Sequence, residues 1–231
     1  MNAMNAAPAD QGTLPTTGPG PWRILLAAGS LLGPALITIA TALDWTGGGP
    51  VVDYLTKLQA NPGVYLASGL LLVFGMALLP LTAVGLFRAA SGRSRATLLR
   101  VGAVLLAAWG SLAIAGVSAG YSAGWVSADL LGTVSEDTVE QVFNGVTYGP
   151  WGFVGGVGGG AAFVLGIIAL GIGVLLVHGL PRWSGIAILV SIVLSFAGGP
   201  TGIHWIPAFG MMLLTVGIVG LVPAMLAYGR D

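Results

Sequence analysis

The sequence predicts an all-α fold: a polytopic transmembrane bundle of six helices, both termini cytoplasmic, with short amphipathic helices in the outer loops. Three observations point there. Long apolar runs occupy residues 22–43, 64–87, 98–125, 151–179, 183–199 and 206–228, each near the ~20 residues that cross ~30 Å of hydrocarbon. The charges alternate between the segments joining these runs. Arg23, Arg88, Arg93, Arg95, Arg100, Arg182 and Arg230 fall at one set of ends; Asp44, Asp53, Asp129, Glu136, Asp137 and Glu140 fall at the other, with Lys57 among them. Placing the arginines in the cytoplasm satisfies the positive-inside rule at every one of them. Finally, indole rings prefer the headgroup layer. Trp22 and Trp183 stand at inner edges, Trp45, Trp125, Trp151 and Trp205 at outer edges, and only Trp109 falls in mid-span.

Composition agrees. Hydrophobic residues make up 55% of the chain and charged ones 7%, against about a quarter charged in a soluble protein. The formal net charge of zero hides a dipolar distribution, basic inside and acidic outside. No cysteine is present, which excludes disulfides, thiolate metal sites, thiol catalysis and S-acylation. Arginine outnumbers lysine seven to one, and Gly, Ala, Val and Leu are abundant, a usage typical of high-GC bacteria. The expected location is the cytoplasmic membrane, as a multi-pass protein.

The elements follow in order. Residues 1–21 are polar and carry Pro8, Pro15, Pro19 and Pro21, so they bury too little surface to order themselves and form an expected cytoplasmic tail. Residues 22–231 form the six-span membrane domain. The tail lacks the basic-then-apolar order of a cleavable signal, so the first run is expected to stay in the bilayer as an anchor. After the turn WTGGGP, Val51, Leu55 and Leu58 recur at i, i+4 and i+7 while Asp53 and Lys57 pair at i, i+4. That spacing predicts a short surface helix stopped at Asn61-Pro62. In the second outer loop Ser135 can cap a helix with Glu136 and Asp137 in its first turn and Val139, Val142, Phe143 and Val146 as its apolar stripe. Both helices are expected to rest on the outer face like a lid.

The fourth span carries the strongest packing signal. Gly155, Gly159, Ala162, Gly166, Ala169 and Gly173 step by four and three residues and share one helix face. Such small-residue seams let backbones approach closely in lipid. The expected partner is another helix of the bundle, with a homodimer seam or a substrate-lining face as alternatives. The run Gly156-Val-Gly158-Gly-Gly-Ala161 matches the dinucleotide pattern as text only, because it lacks a preceding strand. Pro34, Pro80 and Pro223 interrupt three spans and are expected to kink them.

Catalytic chemistry is poorly represented. No ionisable residue falls near a span's midplane, where such groups mark proton relays and ion paths. His178 ends the fourth span and His204 opens the sixth, at opposite faces, so they cannot share a haem. The acidic residues match no calcium loop. No cofactor, metal or catalytic residue is therefore expected. The weak functional candidates are His204, Asp44 and Trp109, the first two at the outer face and the last in mid-span.

The run VVDYLTKLQANPGVYLASGLLLVFGMALLPLTAVGLFR, the short hairpin SGRSR and the six-span layout resemble small six-helix integral membrane proteins of high-GC bacteria, grouped as families of unknown function. The resemblance implies a fold and a location and brings no catalytic residues. Two main functions remain as expectations, with a membrane enzyme at His204 and the outer carboxylates as a third. One is a noncatalytic accessory or subunit of a membrane system, with the lipid bilayer, a second copy or another membrane protein as partner and no nucleic acid. The alternative is a small transporter or binder of a neutral or apolar solute, its site lined by hydroxyls and Trp109.

Overall fold

The computed structural model describes residues 20–43, 50–201 and 205–227. Every regular element among them is helical: α1 (Pro21–Leu43), α2 (Val51–Ala60), α3 (Pro62–Ala90), α4 (Thr97–Leu130), α5 (Glu136–Thr147), α6 (Pro150–Phe153), α7 (Gly159–Leu176), α8 (Arg182–Thr201), α9 (Trp205–Val219) and α10 (Val222–Ala227). A π-helical turn, Val154–Gly158, joins α6 to α7. Among the described residues five stretches are long and apolar enough to cross a membrane: Pro21–Leu43, Pro62–Ala90, Thr97–Leu130, Pro150–Leu176 and Trp205–Ala227. A shorter apolar stretch, Arg182–Ala197, lies in α8. Residues 1–19 of the predicted tail, the WTGGGP turn up to Gly49, Asp44, Trp45, His204 and Arg230 lie outside the described residues, and Pro21, placed in the tail, opens α1.

The long helices close into a ring. α1 packs on α3, α3 on α4, α4 on α7, α7 on α8, α8 on α9, and α9 returns to α1. Neighbours run antiparallel: Ser30 of α1 meets Thr82 of α3, whereas Ala40 meets Ser68. Ile37, Leu79, Leu106, Ile167, Ile188 and Leu214, one from each helix of the ring, are at most 2% exposed and belong to a single apolar core. The outward faces are apolar too. Leu25, Phe74, Leu165, Ile186, Val193 and Phe209 each expose half or more of their surface. So extensive an apolar exterior is foreign to a protein bathed in water and suits hydrocarbon. The chain has the build of a multi-pass membrane protein.

Lipid offers backbone groups no alternative partner, so the prolines need compensation. Pro34 has no N–H to give the carbonyl of Ser30, four residues back, and α1 nonetheless continues through it. The Thr82 hydroxyl of α3 donates to that carbonyl at 3.2 Å. Pro80 likewise frees the carbonyl of Met76 within α3. There α4 brings Gly110 so close that an added Cβ would lie 2.5 Å from the Met76 oxygen, leaving only the Cα hydrogens to face it. Pro34 and Pro80 thus lie inside helices that continue through them, and at Pro34 the neighbouring helix supplies the donor that the freed oxygen lost. Pro223 behaves differently. Its missing N–H would have bonded the Val219 carbonyl, and α9 ends at Val219, with α10 starting afresh at Val222.

Helix limits elsewhere follow the glycines. Gly92, Gly132 and Gly179 take φ of +69°, +79° and +80°, a left-handed conformation that costs glycine nothing. They follow the ends of α3, α4 and α7. α4 thus runs to Leu130, beyond the expected residue 125, and α7 stops at Leu176, short of 179.

Candidate functional site

The two ends of the ring differ in charge. Arg23, Arg88, Arg93, Arg95, Arg100 and Arg182 gather at the end where α1, α4 and α8 begin and α3 and α7 finish. Asp53, Lys57, Asp129, Glu136, Asp137 and Glu140 lie at the other end, on or beside α2 and α5. These twelve are all the charged side chains among the described residues. The segregation that the sequence shows along the chain is therefore a segregation in space.

α2 and α5 cover the acidic end. Leu55 and Leu58 of α2 and Val139 of α5 are buried against Tyr65 and Ala128, with Val51 and Phe143 packed at the margin. The Ser135 hydroxyl accepts from the Thr138 N–H at 3.4 Å, capping α5. Gln59 Nε2 donates to the Ala128 carbonyl at 2.7 Å, fastening α2 to the end of α4. Beneath them Tyr54, Tyr65, Tyr121, Trp125 and Phe143 form a chain of ring contacts with centroids 4.5–5.9 Å apart. The Tyr54 and Tyr65 hydroxyls bond each other, and Tyr121 bonds Ser68 at 2.9 Å. Among the described residues no three histidine or carboxylate side chains converge as a metal site would require.

The small-residue seam faces α4. A Cβ added to Gly155 would lie 2.1 Å from the Gly116 nitrogen; on Gly166 it would meet Leu105 at 3.0 Å, and on Gly173 the Leu99 nitrogen at 2.4 Å. Gly159 is looser, 3.3 Å from Ala113, and Ala162 and Ala169 are buried between these contacts. The seam is thus occupied within the chain. Its counterpart on α4 has no single-face periodicity in the sequence, because α4 turns Gly102 and Gly116 toward α7 and the π turn but Gly110 toward α3. Close glycine approaches recur at other crossings: Gly33 with Gly75 between α1 and α3, Gly171 with Gly185 between α7 and α8, and Gly217 with Ile188 between α8 and α9.

Trp109 is 6% exposed, its ring 4.4 Å from that of Phe163 and tilted by 45°. It is a core residue shared by α4 and α7, and it lines neither cavity described next. Asp44 and His204 fall outside the described residues. His178 stands exposed at the basic end, where its carbonyl accepts a hydrogen bond from Arg93.

Among the cavities that described residues line, two open on the sides of the ring. One, about 410 Å³, lies between α1, α8 and α9 and is lined by Thr38, Ala42, Leu194, Trp205, Phe209 and Met212 among others. Its hydroxyl is engaged: Thr38 donates to the Pro34 carbonyl at 2.9 Å and sits 3.0 Å from the Thr215 hydroxyl. The second, about 390 Å³, lies between α4 and the π turn and is lined by Gly116, Tyr148, Phe153, Gly155 and Gly156 among others. Thr147 belongs to this cavity, and its hydroxyl is buried with no hydrogen-bond partner among the described residues. Spaces of this size and lining suit apolar molecules. The sequence pointed to the glycines here as a seam; the π turn that opens the second cavity carries no sequence signal beyond the run VGGVG. No family model, curated protein or solved structure matches the chain.

Proposed function

We propose that the chain is a six-span protein of a bacterial cytoplasmic membrane, both termini inside, acting without catalysis as an accessory or subunit of a larger membrane system. The observation that carries this reading is the closed ring with its apolar core, filled by Ile37, Leu79, Leu106, Ile167, Ile188 and Leu214 at most 2% exposed. A body so packed has its solvent and lipid faces, rather than its interior, to work with. The acidic end, capped by α2 and α5, is one such face. The sixth span would be α8, whose 20 residues reach about 30 Å at the helical rise. The gathering of arginines at one end supports the orientation through the positive-inside rule. Kinship with the small six-helix proteins of high-GC bacteria belongs to the same reading.

The 410 Å³ groove between α1, α8 and α9 favours a second reading, a binder of a small apolar solute. Native mass spectrometry of the chain excised with its own lipid by a polymer separates the two. A stoichiometric second polypeptide supports the accessory role; a monomer or homodimer carrying a small apolar molecule moves the assignment to the binder.

A further inference from the structure

The basic end is built around a tie between two turns. Arg93, in the α3–α4 turn, donates from Nη1 to the His178 carbonyl in the α7–α8 turn at 3.1 Å. Gly179 makes room for it: a Cβ there would lie 2.9 Å from the same nitrogen, and the residue's φ is +80°. Two steps along, Arg95 takes φ +60°, and it is the one non-glycine residue with positive φ among those described. The left-handed backbone there is one that L residues seldom adopt. Arg95 and Arg182 are both exposed, and among the described residues no acidic side chain shares this end. Arg95 and Arg182 therefore present exposed positive charge with no acidic side chain beside them among the described residues.

Apolar surface begins directly beside them. Leu98 and Val101 follow Arg95 on α4, Leu176 ends α7, and Trp183 and Ile186 follow Arg182 on α8, all exposed by more than a third. A soluble anion would use the charge and leave this surface bare. A molecule with an anionic head and acyl tails uses both.

We propose that the two tied turns form a headgroup site for an anionic phospholipid. Arg93, Arg95 and Arg182 supply the charge for its phosphate, and the adjoining faces of α4, α7 and α8 receive its acyl chains. The inference rests on membrane insertion, though not on which side the basic end faces. A topology reporter with reversed sign would overturn the orientation and leave the lipid site standing.

The test is lipid retention by the full chain in a neutral detergent, read by native mass spectrometry with phosphatidylglycerol, phosphatidylcholine or inorganic phosphate added. Phosphatidylglycerol should be retained in preference to phosphatidylcholine, and added salt should erode the preference. Arg95→Gln and Arg182→Gln should each weaken phosphatidylglycerol binding about fivefold, whereas Lys57→Gln at the opposite end should leave it unchanged. The salt dependence of the unaltered chain gives a readout independent of whether a variant folds. Equal retention of the two lipids, or full retention by the Arg95→Gln, Arg182→Gln double variant, would overturn the proposal. So would inorganic phosphate displacing the lipid at equal concentration, since the acyl chains would then contribute nothing.

Discussion

Gly155 and Gly160 lie on one helical stretch five residues apart, yet their substitution by alanine should have opposite signs. At Gly155 the new Cβ would stand 2.1 Å from the Gly116 nitrogen and 2.4 Å from its Cα, an ångström or more inside ordinary contact, which begins at 3.4 Å. Both obstacles are backbone, so no rotamer change relieves the clash and α4 must move away from the π turn. Overpacking of this kind costs about 1–3 kcal/mol. The displacement also loosens the approaches at Gly166 and Gly173 along the same seam. At Gly160 nothing lies within 4 Å of the added carbon, and replacing glycine in a helix gains about 0.5–1 kcal/mol. The two variants should therefore differ by about 1.5–4 kcal/mol. For a chain of this length, at about 2–4 °C per kcal/mol, the gap in Tm is about 3–16 °C. Thermal unfolding in a mild detergent, followed by tryptophan emission, measures it, and the particle mass reports any change of oligomeric state. Equal Tm values for Gly155→Ala and Gly160→Ala would refute the close α4 contact. A change of mass with no change in Tm would place the seam between copies instead.

Thr82→Val should destabilise by about 1 kcal/mol, because the Ser30 carbonyl freed by Pro34 loses its donor. In a Pro34→Ala background the restored N–H serves that oxygen, so the cost should shrink; an unchanged cost in a double-mutant cycle would show that Thr82 acts otherwise. Trp109→Ala should cost about 3–5 kcal/mol as a core truncation, and with Trp109 intact its emission should not respond to added apolar solutes. A solute-dependent shift assigned to Trp109 would return it to the candidate ligand contacts. A reporter active only outside the cell should be on when fused after Gly132 and off after Gly92; the reverse pattern would sink the proposed orientation.

The helices were legible because lipid imposes one requirement on every residue of a span. The run from Val64 to Phe87, and the others like it, must be apolar whatever they pack against, so the pattern survives without knowledge of neighbours. The limits of α4 and α7 were less legible, since they depend on Gly132 and Gly179 adopting positive φ, which glycine permits but does not dictate. The residues picked out as candidates met different ends. The seam residues pack against α4, Trp109 lies in the core beside Phe163, and Asp44 and His204 fall outside the described residues. The basic end was visible only as topology, because nothing in SGRSR foretells that Arg93 reaches the carbonyl of His178, 85 residues away.

By itself the sequence determined what is additive along the chain: apolar length, the alternation of charge, the small side chains of one helix face. Only the tertiary structure decided what is relational. It set which helix fills the seam, that Thr82 answers the oxygen freed by Pro34, that Gly110 packs beside the one freed by Pro80, and that arginines from separate turns share one end. The physical reason is that hydropathy is a property of each residue in its solvent. A carbonyl's partner or a glycine's neighbour is instead a property of two segments, and their meeting is settled by the packing of the whole ring.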